Sequence, residues 1–174
     1  MLLLTQGNTI NAQEESDYTA FLHTAPEVSV NDSMRITTNG GEARLLDSSA
    51  VKKWFSRLLP STATNRLKNR KYYLAGKITR NENFDLLVVI EEKKRTDSSN
   101  VQVVHLVTTK KDGGYIASLE AAMSGSKRKT NYDISSWLYH DYRIIKDSRI
   151  MINEKPYDDF AQFKINNSGR FIMY

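Results

Sequence analysis

The chain has no cysteine. This removes disulfides, thiolate zinc sites, iron–sulfur clusters, cysteine nucleophiles and lipid attachment to a thiol together, and leaves stability to the core. Proline and glycine are scarce, three and eight residues, so collagen-like and low-complexity architectures fall away. The longest aliphatic run, Leu86–Ile90, is far shorter than the roughly 18 apolar residues of a membrane-spanning helix. Catalytic signatures are missing as well. There is no His-Glu-x-x-His, no calcium-loop pattern and no Gly-x-Ser-x-Gly elbow, and Gly76-Lys77 and Gly113-Gly114 lack the rest of a phosphate loop. No metal or cofactor is expected.

A two-residue rhythm is present instead. Apolar residues alternate along Tyr72–Arg80, Phe84–Lys93, Val101–Thr109 and Tyr115–Ala122, separated by Asn81-Glu82-Asn83, Lys94–Asn100 and Lys110-Lys111-Asp112-Gly113-Gly114. This spacing predicts antiparallel strands joined by tight turns. Leu86-Leu87-Val88-Val89-Ile90 is apolar on both parities, which predicts a strand covered on both faces. Met123–Ser136 reads as a long polar loop, followed by a strand over Trp137–Ile145 and short strands at Arg149–Asn153, Phe160–Ile165 and Arg170–Tyr174. Upstream, Glu27–Thr38 alternates, interrupted by the turn-like Asn31-Asp32-Ser33, as a strand pair or an edge strand before the reversal at Asn39-Gly40-Gly41.

Helical spacing is confined to the first third. Val51, Trp54, Phe55, Leu58 and Leu59 recur at three- and four-residue intervals behind the capping oxygens of Asp47, Ser48 and Ser49, and Pro60 stops the pattern. A shorter helix capped by Ser16 would carry Tyr18, Phe21 and Leu22 on one side. The expected fold is α+β and mainly β: an antiparallel meander, a sandwich or partly closed barrel, with one amphipathic helix at about 48–59. With 174 residues the chain has material for one ordinary core. Residues 14–174 are therefore read as a single domain.

Met1–Gln13 opens with three leucines and carries a small residue at Ala12, so it reads as the end of an export signal, cleaved after Ala12. The stretches Tyr-Tyr-Leu-Ala-Gly-Lys-Ile, Phe-Asp-Leu-Leu-Val-Val-Ile, Val-Val-His-Leu-Val-Thr-Thr-Lys-Lys-Asp-Gly-Gly-Tyr-Ile-Ala-Ser-Leu and Phe-Lys-Ile-Asn-Asn-Ser-Gly-Arg-Phe-Ile follow from Tyr72 onward. Over residues 72–174 the chain resembles small exported, largely uncharacterised β-rich proteins of Bacteroidetes bacteria. The resemblance implies a β-rich fold and a periplasmic or secreted location, and contributes no catalytic residue.

Charge is unevenly spread. Residues 1–34 carry five acids and no base, whereas residues 41–80 carry ten bases and two acids. The basic segment, with Lys52, Lys53, Arg57, Arg66, Lys68, Arg70, Lys71, Lys77 and Arg80, would draw phosphates or an acidic polysaccharide, or would simply solvate a face. Basic tips at Lys93-Lys94-Arg95, Lys110-Lys111 and Lys127-Arg128-Lys129 are the sharper candidates for anion binding.

Of the three histidines, His23, His105 and His140, His105 shares parity with Val101, Val103 and Val107 and reads as a core or edge residue. His140 stands beside Asp141, the order in which a carboxylate orients an imidazole, but neighbours in a strand point to opposite faces. Glu91-Glu92 and Asp158-Asp159 read as solvated turn residues. Nine of the 17 aromatic residues fall at or after Tyr132. Trp137 and Tyr139 should share one strand face with Tyr142 on the other, and these three are the candidate ligand-binding residues. The expectation is a non-catalytic exported binding or structural module of the bacterial envelope, meeting a partner protein or glycan. A hydrolase using His140 or His105, and an anionic-polymer or nucleic-acid binder acting through residues 41–80, are the alternatives.

Overall fold

The computed structural model describes residues 17–39, 43–59, 67, 69–93 and 99–174. The export signal, the Ser16 cap, the reversal at Gly40-Gly41, Pro60, Arg66, Lys68, Lys94 and Arg95 lie outside the described residues. Helix α1 spans 17–23 and helix α2 Ser48–Trp54, continued by a 3-10 turn at Ser56–Leu58. The strands are β1 (Ser33–Ile36), β2 (Arg44–Leu45), β3 (Arg70–Ile78), β4 (Asp85–Lys93), β5 (Ser99–Thr109), β6 (Tyr115–Lys127), β7 (Thr130–Tyr139), β8 (Arg143–Ile152), β9 (Lys155–Ile165) and β10 (Phe171–Met173). They form one antiparallel meander in the order β10-β9-β8-β7-β6-β5-β4-β3-β2, with β1 added beside β7, and the sheet does not close into a barrel.

The amphipathic helix lies where the periodicity placed it. Asp47 Oδ1 accepts from the backbone N–H of Ala50 at 2.8 Å and from Ser49 Oγ at 2.7 Å, satisfying a helix-end donor. Val51 and Phe55 are buried with Tyr72, Leu74, Leu87, Val89 and Val107, and Phe21, Leu22 and Trp54 pack against them. Both helices therefore cover one face of β3–β5. The opposite parity of the same strands, Leu86, Val88, Ile90, Val104 and Leu106, joins Ile36, Leu138, Ile144 and Ile165 in a second core. The apolar run in β4 is thus buried on both sides.

That second core exists because the sheet forks. β6 follows β5 along its length but meets β7 only where Met123–Lys127 face Thr130–Ile134. Beyond Ile134 the place beside β7 belongs to β1, with Met34 opposite Leu138 and Ile36 opposite Ser136. An extra residue in β6 shifts the register between Val104 and His105, and Ser136 Oγ donates to the Ala121 carbonyl at 2.5 Å at the fork. This bulge lets β6 bend away. Strands β7–β9, with β1 and β10, then fold back over the first half.

Three sequence expectations need correction here. Met123–Ser136 is no loop: it is the end of β6, a turn at Arg128-Lys129 and the start of β7. Gly125 in this stretch has φ +104, and a side-chain carbon there would run into the Asn100 carbonyl. Only glycine fits the ladder at that point. Trp137–Ile145 is two strands, reversed at His140-Asp141-Tyr142, with Tyr142 itself at φ 65. The short strands expected at Arg149–Asn153 and Phe160–Ile165 belong to the longer β8 and β9, of 10 and 11 residues.

β9 ends the meander with an edge that β10 covers only at Phe163–Ile165. Along the rest, Pro156 has no N–H, the Phe160 N–H is held by Asp159 Oδ1 at 2.9 Å, and the Gln162 carbonyl accepts from Tyr174 N at 3.2 Å. Three of the outward groups on this edge are thereby missing or occupied.

Candidate functional site

The back of the second half is an exposed face built from the aromatic-rich end of the chain. In β7, Ile134, Ser136 and Leu138 point inward and Ser135, Trp137 and Tyr139 outward. Residues directly opposite in a ladder share a face, so the register extends this face across neighbouring strands. Arg35, Trp137, Ile145 and Gln162 form one row from β1 to β9. On one side of it, toward the β7–β8 turn, lies a row of Ser33, Tyr139, Arg143, Lys164 and Ile172. The next row carries Ser135, Asp147 and Phe160. Trp137 is 42% exposed and Phe160 58%. The Arg143 guanidinium sits 5.1 Å from the centre of the Tyr139 ring and is held by Asp141 Oδ2 at 2.7 Å.

Two of the three proposed ring residues thus stand together. Tyr142 does not join them: its ring packs edge-on against Phe84 at 5.3 Å, with Arg80 over it at 4.8 Å. It is a wall of the core. Phe160 and Arg35 were missed because their place on the face depends on the β1–β7 and β8–β9 registers.

A second feature is a groove of about 490 Å³ between the β1 approach and the end of β3, lined by Glu27, Val30, Asp32, Arg80 and His140 among others. Its arginine is committed, donating to the carbonyls of Val30 and His140. His140 is exposed at the β7–β8 turn, and its backbone N–H donates to the Asp32 carbonyl at 2.9 Å.

The third is buried. His105 Nε2 lies 3.1 Å from Glu91 Oε2, and the other oxygen of Glu91 accepts from Arg70. Glu91 is therefore no turn residue: it sits in β4, its side chain 4% exposed, diagonal to His105 on the face toward the helices. Burial pushes His105 down to about 4, against the pull of Glu120 and with Lys93 and Arg70 nearby. The imidazole is neutral at pH 7 and donates to a carboxylate already neutralised by arginine. With both groups almost fully covered, this is an interior polar clasp. The Tyr72 hydroxyl, in the same face, finds no partner among the described residues.

At the opposite end of these strands Tyr18 contacts Thr109 Oγ1 at 2.5 Å and Asp85 Oδ2 at 3.4 Å, and Lys111 reaches Asp85 at 2.5 Å. This second clasp docks α1. It also commits Lys111, one of the proposed anion-binding residues.

The remaining basic candidates gather only in part, with Lys93 held below the usual lysine range by burial and by the nearby Arg70 and Lys127. Lys93 and the Lys127-Arg128-Lys129 tip lie at one end of the sheet, and Lys110-Lys111 form the β5–β6 turn at the other. Within 41–80, Lys53 pairs with Asp17, Arg70 with Glu91 and Lys77 with Glu27. Among the described residues no group of three or more His, Asp or Glu is arranged to hold a metal ion, and no helix is long and apolar enough to cross a membrane. Comparison with protein-family models, curated proteins and solved structures finds no match.

Proposed function

We propose that this chain is a non-catalytic binding module, exported to the bacterial envelope, that recognises its ligand with the outer face of β7–β10. The observation that supports this reading is the exposed Trp137, in line with Arg35, Ile145 and Gln162 and next to Tyr139. Large apolar rings left in water on a flat sheet are costly unless something covers them. Trp and Tyr give much contact area for little loss of side-chain freedom. The envelope location rests on the leucine-rich Met1–Gln13 and on the resemblance to small exported Bacteroidetes proteins.

Binding to a glycan array and to envelope extracts, by the wild type and by Trp137→Ala, tests the reading. The expected outcome is a wild-type signal lost in the variant. No signal from the wild type on any glycan or extract overturns it. Mass spectrometry of the native N-terminus tests export separately: a chain beginning at Gln13 supports it and an intact Met1 refutes it.

The second reading, a hydrolase, draws on the groove that brings His140 near Glu27 and Asp32. In that reading His140→Ala abolishes turnover of a chromogenic ester or glycoside panel. A wild type inert on the panel removes it. Nucleic-acid binding through 41–80 is the weakest reading, because the pairings of Lys53, Arg70 and Lys77 with acids leave that segment with less uncompensated charge.

A further inference from the structure

We infer that the ligand of the outer face is an acidic polysaccharide, a chain of carboxylate-bearing sugars laid across Trp137 and Tyr139; this rests on the binding-module reading above. The reason is how cations and rings alternate there. Arg35 stands directly opposite Trp137, Arg143 stacks on Tyr139, and Lys164 stands opposite Arg143. Arg143 shares its charge with Asp141, while Arg35 and Lys164 form no ion pair among the described residues. Arg35 makes only a long contact, 3.5 Å, with Ser135 Oγ.

Apart from Asp141, which pairs with Arg143 at the turn and also feels the charge of Lys164, the acids on this face lie farther along the strands. Asp147 is one row away beside Phe160, and Asp133 and Asp158 lie in the row beyond with Arg149, which pairs with Asp158 at 3.3 Å. The ring end is therefore net positive, and the far end, with three acids against Arg149, net negative. A sugar ring offers a C–H-lined face that stacks on Trp137 or Tyr139, and a carboxylate at its rim meets a guanidinium in a two-point contact. A neutral glycan would use the rings and leave Arg35 and Lys164 unanswered. Rows about 7 Å apart on strands about 4.8 Å apart make an open platform rather than a pocket, which suits a polymer better than a small molecule.

Isothermal titration with polygalacturonate and alginate, against neutral pullulan and laminarin, tests this at low and at 0.3 M salt. Acidic polymers should bind, weakening about tenfold at the higher salt as the charges are screened. Trp137→Ala and Arg35→Ala should each weaken binding about tenfold or more, with unchanged circular dichroism because both side chains are exposed. Equal, salt-insensitive binding of neutral and acidic polymers overturns the acidic ligand and leaves the binding module standing. Acidic binding kept in both variants but lost in Lys127→Ala/Arg128→Ala/Lys129→Ala overturns the placement. Failure to bind all four polymers overturns the inference, and the array and extract experiment above then decides separately whether the module reading survives.

Discussion

Strands β4–β5 and β7–β8 belong to the same ladder, yet the first group is covered on both faces and the second on only one. In β4 seven consecutive residues from Asp85 to Glu91 are buried, whereas in β7 buried and open residues take turns from Ile134 to Tyr139. The cause is the pair of helices, which lie only over the first group. A doubly covered strand supplies cohesion and has no side chain left for a visitor. A singly covered strand holds the core with one parity and leaves the other open to solvent. The polar groups follow the same division. Glu91 and His105 are closed inside the first half, while Arg35, Arg143 and Lys164 stand in water on the second.

The contrast breaks if a core residue of the first group proves dispensable. Leu87→Ala, fully buried beneath α2, should lower unfolding free energy by about 2–5 kcal/mol in urea titration. A smaller but comparable effect concerns His105. Its folded value near 4 lies below the ordinary 6.5, so the unfolded chain takes up a proton that the folded chain refuses. This contribution is complete above about pH 6.5 and is lost as pH falls from there toward 4, a change of about 3 kcal/mol. His105→Gln, which keeps an N–H for Glu91, should flatten that part of the stability curve relative to wild type. Next comes the helix cap: Asp47→Ala should cost about 1 kcal/mol, read as a lower urea midpoint with an unchanged slope. The smallest effect belongs to the open face. Trp137→Ala should change stability by less than about 0.5 kcal/mol while removing binding, and a large loss of stability there would erase the division.

Much of the first half was legible because its side chains obey a single period. The stripe from Val51 to Leu59 and the two-parity run in β4 each state how many faces are covered. The fork was not legible. Ser124, Gly125 and Ser126 carry no apolar alternation, yet β6 continues through them because the backbone ladder to β5 holds whatever the side chains are. The β7–β8 reversal was hidden for another reason: it contains no glycine. Tyr142 takes the left-handed conformation, supported by Phe84, by Arg80 and by the turn in which Asp141 Oδ1 accepts the Arg143 N–H at 3.3 Å. Of the proposed site, the common face of Trp137 and Tyr139 followed from parity. The Glu91–His105 contact spans 14 positions and needs the β4–β5 register, which alternation alone does not fix.

The terminal ribbon has a consequence for crowding. A proline without a donor, an aspartate folded onto its neighbour's amide and a carbonyl already taken by Tyr174 leave an approaching strand fewer groups to grip. Molecules gathered side by side along a shared polymer would then zip into one another less readily, which favours each copy remaining separate.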